Sequence, residues 1–183
     1  MKVTTLSIPD ILLIEPKVFR DERGFFFESF NQAEFEKEIN LSPVFVQDNH
    51  SRSIKGVLRG LHYQLPPKSQ DKLVRVVQGE IFDVVVDIRK KSSTFGHWVG
   101  ETLSEKNKKQ IWIPKGFAHG FLVLSEIAEV IYKTTDYYAP QYESCICWDD
   151  PKLNINWNFK GVNLLLSTKD KKGELIQNLQ VFD

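Results

Sequence analysis

The residues best suited to chemistry lie in two short blocks of the chain. Residues 56–64 contain Arg59 and His62, and residues 114–119 end on a second histidine. A histidine can act as a general base near neutral pH, and an arginine can bind phosphate oxygens through its planar guanidinium. Lys72 adds a cation that can stabilise a developing oxyanion. These residue types suit proton abstraction beside a carbonyl in a phosphorylated or nucleotide-bearing substrate.

A third segment, residues 132–138, adds phenol groups to this set. Tyr132 offers a proton donor, since an ordinary tyrosine with a pKa of about 10 is neutral at pH 7. Tyr138 offers an aromatic ring on which a nucleobase can stack. The segment therefore supplies both an acid and a platform for a nucleotide.

The two blocks resemble the sequence motifs of the cupin jelly roll, whose metal-binding members hold a divalent ion with three histidines and a glutamate. Residues 114–119 match the Pro-x-Gly-x-x-His core, and His62 stands at the first histidine of the other motif. Gln64 replaces the second histidine, and Lys72 stands at the glutamate position, six residues before Gly79. An ammonium group repels a cation and an amide replaces imidazole poorly, so we expect no bound metal.

Short apolar segments separated by turns must position these residues. Their spacing predicts an all-β, cupin-type jelly-roll barrel or sandwich with a few short helices, in one domain of residues 1–183. A parallel α/β sheet would need crossover helices, for which the middle of the chain has no room. Asn31 and Glu34 form a capping-box pattern that predicts a helix over residues 32–39. We expect strands at residues 11–16, 24–30, 44–47, 57–63, 72–78, 80–88, 98–103, 110–113, 120–124, 128–135 and 164–166, and a short helix at 174–179.

Composition argues against several classes of partner. The 24 Lys and Arg residues balance 24 Asp and Glu residues, so we expect neither nucleic acid nor a membrane surface as a partner. No apolar run reaches the roughly 18 residues of a spanning helix, and the N-terminus lacks a signal-peptide pattern. Cys145 and Cys147 are one residue apart on a probable strand, where same-face neighbours are poorly placed for a mutual disulfide, so we interpret them as reduced thiols of a cytoplasmic protein. A two-cysteine metal site would need further soft ligands nearby, and none is evident.

Taken together, a larger set of blocks resembles the dTDP-4-dehydrorhamnose 3,5-epimerase family of dTDP-L-rhamnose synthesis. The blocks occur in order along nearly the whole chain, and their combination is far more specific than any one of them. They are residues 19–30, 47–49, 56–64, 72–76, 113–121, 132–138 and 166–170. Beyond residue 170 the match is weak, so the tail carries no functional expectation.

The resemblance implies a metal-free and cofactor-free inversion at C3 and C5 of dTDP-4-keto-6-deoxyglucose, which gives dTDP-4-keto-L-rhamnose. His62 matches the general base, Asp170 the carboxylate that orients it, and Tyr132 the general acid. Lys72 and His119 match residues around the sugar ring and its ketone. The remaining matches are nucleotide-sugar contacts, of which the aromatic one stacks on thymine: Arg23, Glu28, Gln47, Asn49, Arg59, Tyr138, Glu143 and Lys169. The reaction has no net redox change, in agreement with the absence of a Gly-x-Gly-x-x-Gly loop.

The resemblance also implies a homodimer in which one chain completes the site of the other. The run of phenylalanines at residues 25–27 must place rings on both sides of a strand, so one side needs a cover. A second subunit is a natural cover. We therefore expect Arg23 and Glu28 to act across the interface.

Other functions remain open at this stage. A 3- or 5-mono-epimerase of a related dTDP-4-ketosugar needs the same base and acid. A non-catalytic nucleotide-sugar-binding cupin would not need His62, Tyr132 and Asp170 together. A metal-dependent cupin enzyme would hold stoichiometric metal, and a 3,4-ketoisomerase would lack the block at residues 59–64.

Overall fold

The structure, a computed structural model, describes residues 1–157, 159 and 163–183 and consists mainly of β-strands. One α-helix, α1 (Gln32–Ile39), and three short 3-10 helices at Pro140–Tyr142, Asp170–Lys172 and Ile176–Asn178 accompany them. The strands are β1 (Lys2–Thr5), β2 (Leu12–Glu15), β3 (Phe19–Asp21), β4 (Gly24–Phe26), β5 (Gln47–Ile54), β6 (Val57–Gln64), β7 (Lys72–Gln78), β8 (Glu80–Asp87), β9 (Trp98–Ser104), β10 (Gln110–Ile113), β11 (Phe117–Val123), β12 (Ile127–Thr134), β13 (Glu143–Cys145) and β14 (Leu165–Leu166).

Two antiparallel sheets face each other and form the body of the molecule. The first sheet has the strand order β1-β2-β10-β7-β12-β5. The second has the order β13-β6-β11-β8-β9, with β14 added in parallel to the outer edge of β6. β3 and β4 form a separate hairpin. This arrangement confirms the predicted all-β jelly-roll class.

The core has three layers because the central strands bury side chains on both faces. Residues such as Val74 of the first sheet and Val85 of the second pack between the sheets. The outer face of the second sheet is covered by the C-terminal segment, where Trp157 packs. The outer face of the first sheet is covered by α1 through Phe35, which contacts Trp112. Burial on both faces explains the nearly continuous apolar sequence of β8 and β11.

Helix α1 has the start and end that its sequence predicts. The side-chain oxygen of Asn31 accepts a hydrogen bond from the backbone N–H of Glu34 at 3.3 Å. The helix ends at Asn40, whose left-handed backbone (φ 55°) is favourable for asparagine. Phe35 and Ile39 form its buried stripe, so the predicted helix is confirmed.

Strand β6 departs from the alternation of a regular strand. Leu58 and Leu61 both pack into the outer layer, although they are three residues apart. Arg59 and His62, also three residues apart, both line a cavity between the sheets. In a regular strand such pairs point to opposite faces. A local irregularity at Gly60 therefore brings the arginine and the histidine to one face.

The irregularity depends on close backbone contact between β6 and β11. Gly60 has a φ of +126°, and a β-carbon there would lie 2.5 Å from the Cα of Gly120 and 2.8 Å from the carbonyl oxygen of His119. The pairing of the two strands shifts register between His119 and Phe121. Only glycine combines this backbone conformation with so close an approach.

Most predicted strands are confirmed with small shifts at their ends, but several details were wrong. The strand expected at 44–47 was misplaced, since the observed strand is β5, which starts at residue 47. Its inward side chains are polar, so a pattern of apolar residues did not locate it. The expected strand at 24–30 ends at residue 26, and β1 and β3 were missed. The expected helix at 174–179 is a single 3-10 turn.

Among the described residues, no helix has the length and apolarity needed to cross a bilayer.

We predict that Gly60→Ala lowers the free energy of unfolding by about 2–5 kcal/mol, because it adds backbone overlap to a strained φ. Equilibrium urea unfolding measures the loss. Gly96→Ala is the matched control, since Gly96 also has a positive φ (+75°) but open space around its missing β-carbon. Equal losses in the two variants would show that the contact with Gly120 contributes nothing.

Candidate active site

A cavity of about 280 Å³ lies between the two sheets. Strands of both sheets contribute to its wall, and the predicted residues that line it are Arg59, His62, Lys72, His119, Tyr132, Tyr138, Glu143 and Lys169. With neutral histidines, three cations face one carboxylate among them, a balance of 3 − 1 = +2. The cavity therefore favours an anionic ligand.

His62 and Asp170 form a hydrogen-bonded dyad at the cavity wall. His62 Nε2 lies 2.7 Å from Asp170 Oδ1, and the aspartate is 4% exposed. Burial alone would raise the pKa of Asp170, but hydrogen bonds from His62 and Ser167 outweigh it and hold the pKa at about 2. The ionised carboxylate thus accepts the proton on Nε2, which leaves the lone pair of the imidazole on Nδ1.

The carboxylate of Asp170 is itself held firmly. Ser167 Oγ donates to its second oxygen at 2.6 Å, and the backbone N–H of Gly60 donates to the first at 3.3 Å. The residue begins a 3-10 helix just after β14, which pairs with β6. The weakly patterned C-terminal region therefore supports His62 directly.

His119 forms a second pair, with a residue that the sequence analysis missed. His119 stands opposite His62 in the pairing of β11 with β6, and its Nε2 lies 2.8 Å from Oδ2 of the fully buried Asp83. Within the described part of the chain, Asp83 Oδ1 has no hydrogen-bond partner. The sequence offered one indication of this pair, since Asp83 is a lone acidic residue in the otherwise apolar run Ile81–Val86.

Lys72 reaches the cavity from the opposite sheet. It shares the inward face of β7 with Val74 and Val76, and its ammonium donates to the carbonyl oxygen of His62 at 3.3 Å. Burial lowers the pKa of Lys72 to about 8, although the negative charges of Glu143 and Asp83 favour its charged form. At pH 7 the group remains a cation beside His62.

Tyr132 also projects from the first sheet, on β12, and lines the cavity across from β6. Burial raises the pKa of its phenol, and the positive charge of Arg59 opposes this only in part. The phenol therefore keeps its proton at neutral pH. Tyr132 and His62 project from facing sheets, so they approach a bound molecule from different sides.

A polar group of side chains surrounds Tyr138 at the mouth of the cavity. The phenol of Tyr138 donates to Glu143 at 2.8 Å, and Lys169 forms an ion pair with the same carboxylate. Gln47 accepts from the backbone N–H of Tyr138 at 3.1 Å and donates to Asn49 at 2.9 Å. The structure thus brings all five of these predicted contacts together.

Gln64 holds the backbone at the mouth of the cavity in place. The sequence analysis had singled it out only as the residue that replaces a metal-binding histidine. Its amide donates to the carbonyl oxygen of Tyr137 at 3.2 Å and accepts from the backbone N–H of Ala139 at 2.8 Å. These bonds fix both sides of Tyr138. A glutamine amide supplies both the donor and the acceptor that these two contacts need.

Arg23 and Glu28 lie outside the cavity of their own chain. Arg23, at the hairpin turn, is 89% exposed and pairs with Asp21. Glu28 accepts from Asn31 at 3.3 Å and lines a separate cavity of about 400 Å³ beside α1. Their assignment to the binding site stays a prediction.

Cys145 is a second residue whose placement the sequence did not reveal. It stands opposite His62 in the pairing of β13 with β6, and its sulfur lies within 4.8 Å of ligand atoms of His62 and Asp170. Burial raises the pKa of this thiol to about 12. Both Cys145 and Cys147 are free thiols. The sequence around Cys145 did not reveal that an imidazole and a carboxylate lie beside its sulfur.

Comparison with known proteins identifies close relatives. A family model described as dTDP-4-dehydrorhamnose 3,5-epimerase matches residues 5–178. The dTDP-4-dehydrorhamnose 3,5-epimerases of Pseudomonas aeruginosa and Shigella flexneri are each 58% identical over 182 residues, which cover 100% of this chain and 99% of those proteins. The crystal structure of dTDP-6-deoxy-D-glucose-3,5-epimerase from Legionella pneumophila in complex with dTDP-4-keto-L-rhamnose superposes with a TM-score of 0.93 at 51% identity, over 98% of this chain and 94% of that one.

We predict that Lys72 titrates near pH 8, whereas an ordinary lysine titrates near 10.4. Because burial destabilises the ammonium form, the group is charged below this pH and neutral above it. NMR titration of isotopically labelled lysines tests this, and Lys72→Arg identifies the resonance. Glu143→Gln should lower the pKa further, since it removes a favourable negative charge. Titration of every lysine near 10.4 would contradict the prediction.

Proposed function

The chain belongs to the dTDP-4-dehydrorhamnose 3,5-epimerase family, and we propose that it inverts C3 and C5 of dTDP-4-keto-6-deoxyglucose in the cavity between its sheets. The observation that carries the assignment of roles is the His62–Asp170 dyad, which faces Tyr132 across a cavity that also holds Lys72. The bound dTDP-4-keto-L-rhamnose of the Legionella pneumophila enzyme supports a dTDP-sugar as the ligand.

His62 removes the proton. A C–H group next to the C4 ketone is acidic only because the resulting carbanion is delocalised as an enolate. Asp170 holds the proton of the imidazole on Nε2, so Nδ1 is the atom that accepts the carbon proton. The carboxylate then stabilises the imidazolium that forms.

Lys72 stabilises the enolate oxygen. Its ammonium is charged at neutral pH and lies beside the backbone of His62, in a half-buried position. A preorganised donor of this kind lowers the barrier by about 3–4 kcal/mol. Its lowered pKa reflects burial, so the ammonium has little hydration to lose when the ketone binds.

Tyr132 returns a proton to the other face of the planar enolate. It projects from the first sheet, whereas His62 projects from the second. Delivery from the opposite side inverts the carbon, and return from His62 restores the original configuration. C3 and C5 both flank C4. Once His62 has released its proton to solvent and Tyr132 has regained one from solvent, the same base and acid serve the second carbon, and no net oxidation occurs.

The remaining cavity residues bind the nucleotide sugar. Arg59 and Lys169 supply positive charge for the diphosphate, and the exposed ring of Tyr138 at the mouth stacks on thymine. Gln47, Asn49 and Glu143 complete this end of the site. His119, held by Asp83, contacts the sugar.

A homodimer accounts for the position of Arg23 and Glu28. Phe25 is 53% exposed and Phe26 is 67% exposed on the hairpin that carries Arg23, a costly surface for a lone chain. Docking this hairpin against a second chain covers the rings and presents the arginine to the partner's phosphate groups. The interface is isologous, so each chain completes the other.

A cytoplasmic location agrees with two free cysteines, since reducing compartments keep thiols unpaired.

We predict that the enzyme in D₂O introduces deuterium at both C3 and C5 of dTDP-4-keto-6-deoxyglucose, as followed by NMR. His62→Ala should lose exchange and inversion by at least about 100-fold, because the base is gone. Tyr132→Phe should keep exchange but lose inversion, because His62 still removes and returns a proton on one face.

The outcomes of this experiment separate the candidate functions. Deuterium at one carbon only would indicate a mono-epimerase with the same machinery. Equal loss of exchange in both variants would contradict the separate roles of base and acid. Exchange at neither carbon by the wild-type enzyme would overturn the enolate mechanism on this substrate.

We predict that Arg23→Ala and His62→Ala, each defective alone, complement each other in one dimer. Coexpression with two different affinity tags isolates the mixed dimer, which holds one complete site and should show roughly half of wild-type activity. His62→Ala with Tyr132→Phe is the control, because each pocket of that dimer still lacks one group. Absence of complementation in the first pair would place Arg23 in its own chain's site or outside any site.

A further inference from the structure

Three metal-ligating side chains meet at the back of the dyad. The sulfur of Cys145, an imidazole nitrogen of His62 and a carboxylate oxygen of Asp170 all lie within 4.8 Å of one another. A tetrahedral zinc site with Zn–S near 2.3 Å and Zn–N near 2.1 Å separates its donor atoms by roughly 3.4–3.8 Å. Only small side-chain movements convert one arrangement into the other, chiefly a widening of the 2.7 Å contact between His62 and Asp170.

We propose that Cys145, His62 and Asp170 form a binding site for one soft divalent cation, Zn²⁺ or Cd²⁺, whose binding inhibits the enzyme. The inhibition rests on the proposed role of His62 as the base, whereas the binding itself does not. The ion is an inhibitor in this proposal and takes no part in the epimerisation.

The donor set selects for this class of ion. A thiolate and an imidazole favour zinc and cadmium over magnesium and calcium, which prefer oxygen ligands. The thiolate and the carboxylate together carry two negative charges and neutralise the cation. Three protein ligands leave the fourth tetrahedral position for a water molecule.

The surroundings of the three donors support such a site. Ser167 Oγ holds the other oxygen of Asp170 at 2.6 Å, a contact of the kind that orients metal-binding carboxylates. The carboxylate is 4% exposed, and Cys145 and His62 are half-buried, so the donors are fixed by packing. Pairing of β13 with β6 sets the thiol opposite the imidazole.

The proposed site borders two cavities. Cys145 lines a second, open cavity of about 530 Å³, and His62 lines the catalytic cavity. Glu143 and Lys169, which form an ion pair, stand in the wall that the two cavities share. An ion can therefore approach Cys145 from the open cavity rather than through the catalytic one.

Binding changes the protonation of the base in a defined way. The thiol releases one proton to solvent as its sulfur binds the cation. The imidazole gives its Nε2 lone pair to the cation, so its single proton moves from Nε2 to Nδ1. Nδ1 then has no lone pair with which to accept the carbon proton, and the enolate does not form.

Titration of the metal-free enzyme with CdCl₂ tests the binding in the absence of substrate. The wild-type protein should bind one ion per chain and develop the ultraviolet absorption of a cadmium–thiolate bond. Cys145→Ser should abolish this absorption and weaken binding by at least about tenfold, since loss of an outer partner alone costs 10–100-fold. His62→Ala should keep the absorption but weaken binding similarly.

Cys147→Ser is the matched control, because Cys147 lies two residues away, donates to Asp149 at 2.8 Å and stands outside the donor cluster. It should bind cadmium as the wild type does. Loss of the absorption in Cys147→Ser, or its persistence in Cys145→Ser, would overturn the proposed site.

Activity assays test the inhibition separately. CdCl₂ should inhibit the wild type reversibly, with recovery on addition of a chelator, and Cys145→Ser should stay active at the same concentration. Equal inhibition of both would overturn the proposal, because the ion would then act elsewhere, for instance on the substrate diphosphate. If the metal-free wild type has no epimerase activity, the proposed function is refuted. The absorption test of cadmium binding stays valid in that case, because it uses no substrate.

Discussion

The approach of Gly60 to Gly120 determines which side chains of β6 face the cavity. With regular alternation, Arg59 and His62 would lie on opposite faces of the sheet, and one of them would enter the apolar outer layer. The positive φ of Gly60 resets the alternation, so Arg59 and His62 share one face while Leu58 and Leu61 share the other. The backbone N–H of Gly60 also donates to Asp170. The same glycine thus sets the side on which His62 lies and helps to hold the carboxylate that is hydrogen-bonded to it.

Much of the fold and of the chemical core was predictable from the sequence. Helix α1 follows from its cap at Asn31 and its apolar pair, and the strands that bury both faces follow from their continuous apolar runs. Lys72 begins an apolar strand and Tyr132 lies within another, both at inward positions, which is a detectable signal. The dyad was predictable only through the resemblance, because nothing in the local pattern links His62 to a residue 108 positions later.

Other features depend on contacts that no local pattern encodes. β5 was placed wrongly because its inward face is polar, so periodicity of apolar residues is the wrong guide there. Cys145 was predicted only as a reduced thiol, because its neighbours His62 and Asp170 come from β6 and from the C-terminal segment. Asp83 was overlooked because a buried acid is expected only when a partner such as His119 is known. In each case a polar group in the interior is explained by a residue distant in sequence.

The composition of β5 has a consequence for how such a protein can change over evolutionary time. This strand lies at the edge of its sheet. Within the described part of the chain it pairs with β12 alone and contributes no side chain to the three apolar clusters. Yet Gln47, Asn49 and Ser51 share its inward face at the mouth of the cavity, where Tyr138 lies. Substitutions here change the lining of this mouth with little loss of folding energy, whereas His62 sits on a strand packed on both faces. Ligand preference can therefore diverge among descendants while the reaction itself is inherited unchanged.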